Sequence, residues 1–401
     1  MRDVPAVGAP QACNYNDSHK EGGSFLVIKR LGVSQYRNLG EGQCFPCPGI
    51  NVICGSNAQG KTNLLEGLWL FTGGRSFRGA KDSELVAFGS PKARLCLDFY
   101  ARDRDQRAEI TIENGRRKAS LNGVDRGPAS SLIGELCAVV FSPVHLSLVK
   151  DGPVQRRRFL DAAICQQKPA YAGLLARYSH TLTQRNALLK DVPRHAELLD
   201  TLDIWEEKLA RYGGAIAAQR ISYAKALSGS AAQVYRGISE GKEQLSVGYQ
   251  STFWKEGDPE DGTFLAQCLQ KKLVQSRRED LYTGHTGVGP HRDDLQIQID
   301  GRSARAFGSQ GQQRSCVLAL KLAEASLLYD LLGERPVVLL DDVMSELDQS
   351  RQDYLLNHID GWQVFITCCD PDTVGRLEGG AVFQVESGVI TPLTGEKPGS
   401  V

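Results

Sequence analysis

Gly55-Ser-Asn-Ala-Gln-Gly60-Lys61-Thr62 decides how the rest of this chain is read. It fits G-x-x-x-x-G-K-[S/T] without a mismatch, in the context that pattern needs: the apolar run Ile50–Cys54 (INVIC) before it reads as a buried strand, and Asn63–Phe71 after it as a helix. Glycines at 55 and 60 let backbone N–H groups converge on phosphate oxygens with no Cβ in the way, and a helix N-terminus adds the positive end of its dipole. Ser56, Asn57, Ala58, Gln59 and Asn63 complete the cradle. Lys61 brings a point charge to the β- and γ-phosphates, and the Thr62 hydroxyl suits Mg²⁺. The expected cofactors are ATP and Mg²⁺.

Two further pieces lie far downstream. Pro336–Leu340 (PVVLL) reads as a buried strand that delivers Asp341 and Asp342 at its end. Acids there are costly unless a cation or hydrogen bonds compensate, so Asp341 is expected in the Mg²⁺ shell and Asp342 beside the attacking water, as a catalytic group with Lys61. Ser309-Gln-Gly311-Gln312-Gln-Arg314 then opens a helix through Leu332 and makes a second anion-binding helix start.

Around these pieces the text alternates between strand and helix. Phe25–Leu31 reads as a strand, and Leu95–Leu121 as an antiparallel meander. From about Pro153 to Lys272 Leu and Ala recur at helical spacing; strand-like runs return at Leu295–Ile299 and Gln363–Thr367. The expected fold is α/β: a head of residues 25–150 and 281–401 with a mixed, P-loop-bearing sheet and a meander, into which a helical arm, 151–280, is inserted. Residues 1–24 are small, polar and aperiodic, the composition of a disordered extension.

Composition sets outer limits. The chain has 401 residues, with 47 Lys+Arg against 47 Asp+Glu, which excludes a globally basic nucleic-acid binder but not a local patch. No apolar run approaches the ~18 residues of a membrane span, and the polar start lacks a secretory pattern, so a cytoplasmic protein with no membrane partner is expected. The 11 cysteines, odd in number and scattered, are no disulfide framework. Cys44-Phe-Pro-Cys47 reads as a surface turn rather than half of a zinc site, and Cys368-Cys369 as small buried hydrophobes. Residues 151–190 hold seven Lys/Arg against Asp151 and Asp161, with Lys271, Lys272, Arg277 and Arg278 as a second group. Such runs suit phosphate contact without base readout.

The order of loop, Ser-Gln-Gly-Gln helix start and acidic strand resembles the ABC-type ATPase heads of chromosome-maintenance proteins. The finer text is similar to one family, RecF, the bacterial recombination-repair ATPases. The matching stretches are Tyr36-Arg37-Asn38, Gly55–Thr62, Gly152-Pro153 with Arg156-Arg157, Gln184-Arg185-Asn186, Gly289–Leu295, Ser309–Ser315 and Leu339–Asp348. The resemblance implies a homodimer formed around ATP, in which Ser309, Gly311 and Gln312 of one copy meet the γ-phosphate held by Lys61 of the other, and Ser345–Asp348 crosses the interface. It implies that Asn57 reaches the γ-phosphate or the water, and that Arg37 contacts nucleotide. It implies slow, DNA-stimulated ATP hydrolysis, DNA binding at single-strand gaps through Arg156, Arg157, Arg158 and Arg185, help to RecO and RecR in loading RecA, and support of the SOS response. Another SMC-like chromosome-maintenance ATPase is the alternative. A transporter ATP-binding subunit fits less well, since it would place a His after the last strand where this chain has Cys368-Cys369, and a long coiled-coil ATPase would need sustained heptads.

Overall fold

The computed structural model describes residues 26–369 and 380–393; residues 1–24 lie outside it. In chain order the elements are β1 (Val27–Tyr36), β2 (Leu39–Cys44), β3 (Ile50–Cys54), α1 (Lys61–Leu70), β4 (Lys92–Ala101), β5 (Arg104–Glu113), β6 (Arg116–Leu121), β7 (Val124–Pro128) and β8 (Ala138–Phe141). Then come α2 (Ser147–Lys150), α3 (Pro153–Gln167), α4 (Ala170–Asp191), α5 (Leu199–Ile238), β9 (Leu245–Gln250), α6 (Gly262–Thr283), β10 (Asp294–Ile299), β11 (Arg302–Ser303) and α7 (Ala304–Phe307). The remaining ones are α8 (Gln310–Leu332), β12 (Val337–Leu340), α9 (Gln349–His358), β13 (Val364–Cys368), β14 (Ala381–Glu386) and β15 (Val389–Pro392).

Strand chemistry sorts these into layers. β8, β12, β13 and β3 are apolar nearly throughout and pair in parallel, as strands covered on both faces must be. Successive residues feed different cores: Val338 and Leu340 pack with α3, α5 and α8, while Val337 and Leu339 pack with α1 and the meander. The full order is β15-β14-β3-β13-β12-β8, with only β15 antiparallel. The second sheet, β2-β1-β4-β5-β6-β7, is antiparallel throughout. β4 shows why: Ala93, Leu95, Leu97 and Phe99 are buried while Lys92 and Arg94 face water, the alternation of a sheet with one wet side. Gln363 ties the two sheets, accepting from Ile28 N and donating to the carbonyls of Ile28 and Cys47.

The insertion is helical but not wholly so. Leu245–Gln250 forms β9, antiparallel to β10, so a small three-stranded sheet closes the base of the arm. Gly213-Gly214 does not interrupt α5, which runs 40 residues, about 60 Å. A Cβ at Gly214 would stand 2.4 Å from Ala266 N; the pair lets α6 cross α5 at backbone contact.

Candidate nucleotide site

The loop 55–60 leaves the C-terminal end of β3 and turns into α1 at Lys61. Its two glycines are required by geometry. Gly60 has φ 118°, and a Cβ there would come within 2.7 Å of Leu39 and 2.8 Å of Asn38 Oδ1; Gly55 has φ 152° and abuts the Val385 carbonyl. The loop is buttressed from outside: Asn38 Nδ2 donates to Ala58 O (3.0 Å), and Ser387 N donates to Gln59 Oε1. Asn63 donates to Asn38 Oδ1 (2.6 Å) and accepts from Arg78 (2.8 Å). The Lys61 ammonium lies across the loop, donating to the carbonyls of Gly55 (2.6 Å) and Ser56 (3.0 Å).

The acidic strand end meets this loop. Thr62 Oγ1 donates to Asp341 Oδ1 at 2.7 Å, and Ser142 and Thr367 donate to the same carboxylate. Burial raises the Asp341 carboxyl above its ordinary range, while the three hydroxyl donors pull it back. Asp342, one residue on, sits at φ 54° with its N–H given to Thr367 Oγ1 (2.8 Å). That left-handed conformation turns it out of the strand register. Cys369, read from sequence as buried, is exposed; its Sγ donates to Asn57 Oδ1 (3.1 Å) and stands 3.7 Å from Lys61 Nζ.

Ser309, Gly311 and Gln312 stand at the start of α8. Ser309 caps α8 in a capping box: Gln312 N donates to Ser309 Oγ and Ser309 N to Gln312 Oε1. Gln312 Nε2 also donates to Glu243 Oε1 (2.7 Å). Among the described residues, no hydrogen bond joins 309–312 to residues 55–63. The segment after Asp342 is nevertheless fastened to α8, through Arg314 to Glu346 O (3.0 Å) and Arg351 to Ser315 Oγ (2.9 Å).

Sequence reading missed Glu66. Its side chain is fully buried in α1 and accepts from Arg37 Nε (2.5 Å) and Nη2 (3.0 Å), Tyr36 Oη (3.2 Å) and Ser76 Oγ. Arg37 is therefore held in place, and any contact it makes with nucleotide is left to Nη1. A signal was present: Glu66 is the one acid in Leu64–Phe71 (LLEGLWLF), an otherwise apolar run in which a carboxylate needs a partner. Glu66→Ala is expected to lower stability by about 2–3 kcal/mol in urea unfolding, since it strands a guanidinium and two hydroxyls.

Two of the four expected DNA arginines, Arg156 and Arg185, need correction. Arg185 is wholly buried, bonded to Asp280, Thr286 and Glu206. Arg156 is buried, paired twice with Asp294 and donating to the carbonyls of Leu148 and Asp151. Arg157 is half-buried and donates to Asp293 O (2.7 Å). Only Arg158 of the four is exposed. Arg156 and Arg157 tie α3 to the start of β10, and Arg185 ties α4 to α5 and α6; the guanidinium groups of Arg156 and Arg185, so fully used, cannot also grip phosphate. His291 is likewise internal, between Tyr178 Oη (2.7 Å) and Thr286 O (3.0 Å), and burial brings it down to about 4. Cys44 and Cys47 are buried free thiols, Cys44 pushed up to about 12 by desolvation. No helix among the described residues is long and apolar enough to cross a membrane.

A mixed sheet whose parallel strands set a phosphate loop against an acidic strand end, with a capped Ser-Gln-Gly-Gln helix start and an inserted helical stretch, defines an ABC-type ATPase head. The family model described as RecF/RecN/SMC N terminal domain matches residues 27–391. This chain is 39% identical to the DNA replication and repair protein RecF of Ruminiclostridium cellulolyticum, over 88% of this chain and 95% of that one. It is 38% identical to the RecF of Heliobacterium modesticaldum, over 91% and 99%. A solved structure of the recombination mediator protein RecF with ATP in the RecFOR pathway superimposes with a TM-score of 0.88 at 36% identity, covering 94% of this chain and all of that one. The Pyrococcus furiosus Smc head, at 16% identity and TM-score 0.54, shares the fold. The chain belongs to the RecF family of DNA replication and repair ATPases.

Proposed function

We propose that this protein is an ATP-driven clasp on DNA: two copies close around nucleotide, and hydrolysis lets them part. One observation carries the reading. Among the described residues the capped start of α8 is bonded to none of the phosphate loop of its own chain, so the Gln310 and Gly311 amides and the Ser309 hydroxyl proton are available to a nucleotide held by a second copy. The relatives' role in replication and repair, and the ATP-bound state of a close structural neighbour, support it.

Within each site the residues divide the work. Lys61 and the loop amides hold the β- and γ-phosphates, and Ser309, Gly311 and Gln312 of the other copy approach from the far side. Thr62 and Asp341 are hard oxygen donors side by side, and a cation would offset the burial that raises Asp341, so the pair fits Mg²⁺. Bound there, Mg²⁺ would neutralise charge developing on the phosphoryl oxygens. Asp342 and Asn57 orient the attacking water, with Asp342 taking its proton. Hydrolysis removes the bridge between copies and frees DNA. Turnover is slow and DNA-stimulated; the DNA is a single-strand gap with adjoining duplex, and RecO and RecR, and through them RecA and SOS induction, are the downstream partners in the cytoplasm.

Light scattering tests the clasp. Dimers are expected with ATP alone, and none with Ser309→Arg, which still binds ATP. A Ser309→Arg protein that pairs as well as the parent removes α8 from the interface.

A further inference from the structure

Arg156 and Arg185 are consumed inside the molecule and leave the contact with phosphate to exposed cations. The solvent face of the meander supplies one at a defined place. Two adjacent rows cross β4, β5 and β6: Arg94–Thr111–Lys118 and Lys92–Glu113–Arg116. Lys92, Arg94, Arg116 and Lys118 are all exposed, and among the described residues none of them makes an ion pair, unlike neighbouring Arg117, which is held by Asp82. The two rows carry four cations against one carboxylate. Strand spacing sets Arg94 and Lys118 about 10 Å apart and the rows about 7 Å apart, so a polyanion lying across them meets several charges together.

The same end of the sheet carries the most exposed aromatic residue among the described ones. Phe88 has a relative exposure of 107% in the loop before β4. That loop is not loose: Val86 bridges Tyr36, Ala87 N donates to Gln35 O (2.8 Å) and Ser90 Oγ to Gln35 Oε1 (2.9 Å), pinning the chain on both sides of the ring. A ring held out in water beside uncompensated cations suits stacking on a base. Unstacked bases are offered where a strand is unpaired, not within a closed duplex.

We propose that Lys92, Arg94, Arg116 and Lys118, with Phe88, form the contact surface for DNA at a duplex–single-strand junction, the cations on phosphates and the ring on the first unstacked base. This rests on the DNA-clasp reading above and gives it a location. It also gives it a route to ATP: at this end of β1 Arg37 N donates to Leu85 O (2.9 Å), and Asn38 holds Ala58 and Asn63 of the nucleotide loop.

The test is fluorescence anisotropy of the full chain with ATP on gapped duplex, blunt duplex and single strand across a salt series. Changing all four cations to Gln is expected to weaken binding to each DNA and reduce the slope of log affinity against log salt on duplex by about 3.6, near 0.9 for each of the four lost phosphate contacts. Phe88→Ala is expected to cut affinity for gapped duplex and single strand about tenfold and leave blunt duplex nearly unchanged, while Phe88→Trp restores it. An unaltered slope in the four-cation variant, with ATP-dependent pairing intact, overturns the surface; equal effects of Phe88→Ala on gapped and blunt duplex overturn the junction role. Parent protein that binds none of the three DNAs overturns the DNA reading itself, an outcome distinct from parent and variants binding alike.

Discussion

Asp342→Asn is expected to bind ATP and pair with a second copy while losing turnover roughly 10²–10⁴-fold, the range supplied by a positioned acid–base group. The substitution isolates chemistry from folding. Asp342 occupies φ 54°, a conformation Asn tolerates well and Ala does not, so Asn keeps the backbone while removing the proton acceptor. Its N–H bond to Thr367 Oγ1 is a backbone feature and survives the change. Asp341→Asn should behave differently. That carboxylate faces Thr62 at 2.7 Å, and its loss should weaken Mg²⁺-dependent nucleotide affinity before any chemistry begins. Equilibrium ATP binding and single-turnover phosphate release, measured on both variants, separate the two acids. Unchanged phosphate release in Asp342→Asn would remove it from the reaction.

The features legible in the sequence are the local ones. The phosphate loop is eight consecutive residues between a strand and a helix, and the acids at 341 and 342 follow an apolar run directly, so each carries its own context. The meander was legible for the same reason: alternation shows within one strand. What escaped depends on which face a side chain takes. Seven cations in residues 151–190 look like a solvated patch when counted, yet Tyr178, Thr181, Arg185 and Leu189 are the buried face of α4, at the 3–4-residue spacing of a helix. Tracing that stripe would have marked Arg185 as internal. Nor could the paired glycines of α5 announce themselves: Gly213-Gly214 reads as a break until α6 is seen to need the space. β9 was invisible because its partner, β10, lies outside the helical text that surrounds it.

Arg185→Ala is expected to destabilise the protein by roughly 3–5 kcal/mol, the cost of removing one partner from a buried ionic cluster. Arg185 connects α4 to α6 and α5: Nη1 reaches Asp280 Oδ2 (2.8 Å) and Thr286 Oγ1 (2.7 Å), and Nη2 reaches Glu206 Oε1 (2.8 Å). Asp280 and Glu206 are themselves almost wholly buried. Arg277 still reaches Glu206 from the surface side, but among the described residues Asp280 has no other cation, so its charge is the one left uncompensated. Lysine is not expected to rescue, because one ammonium cannot span three acceptors that a planar fork reaches from two nitrogens. Combining Arg185→Met with Asp280→Asn and Glu206→Gln should recover part of the loss, since no bare charge then remains. Thermal and urea unfolding of the three variants measure this, beside the salt dependence of DNA binding. A structural Arg185 lowers stability in the single variant and leaves the salt slope of the folded protein where it was. A phosphate-binding Arg185 would do the reverse, flattening the slope with the fold intact, and that pattern would overturn the assignment of this side chain to the arm's interior.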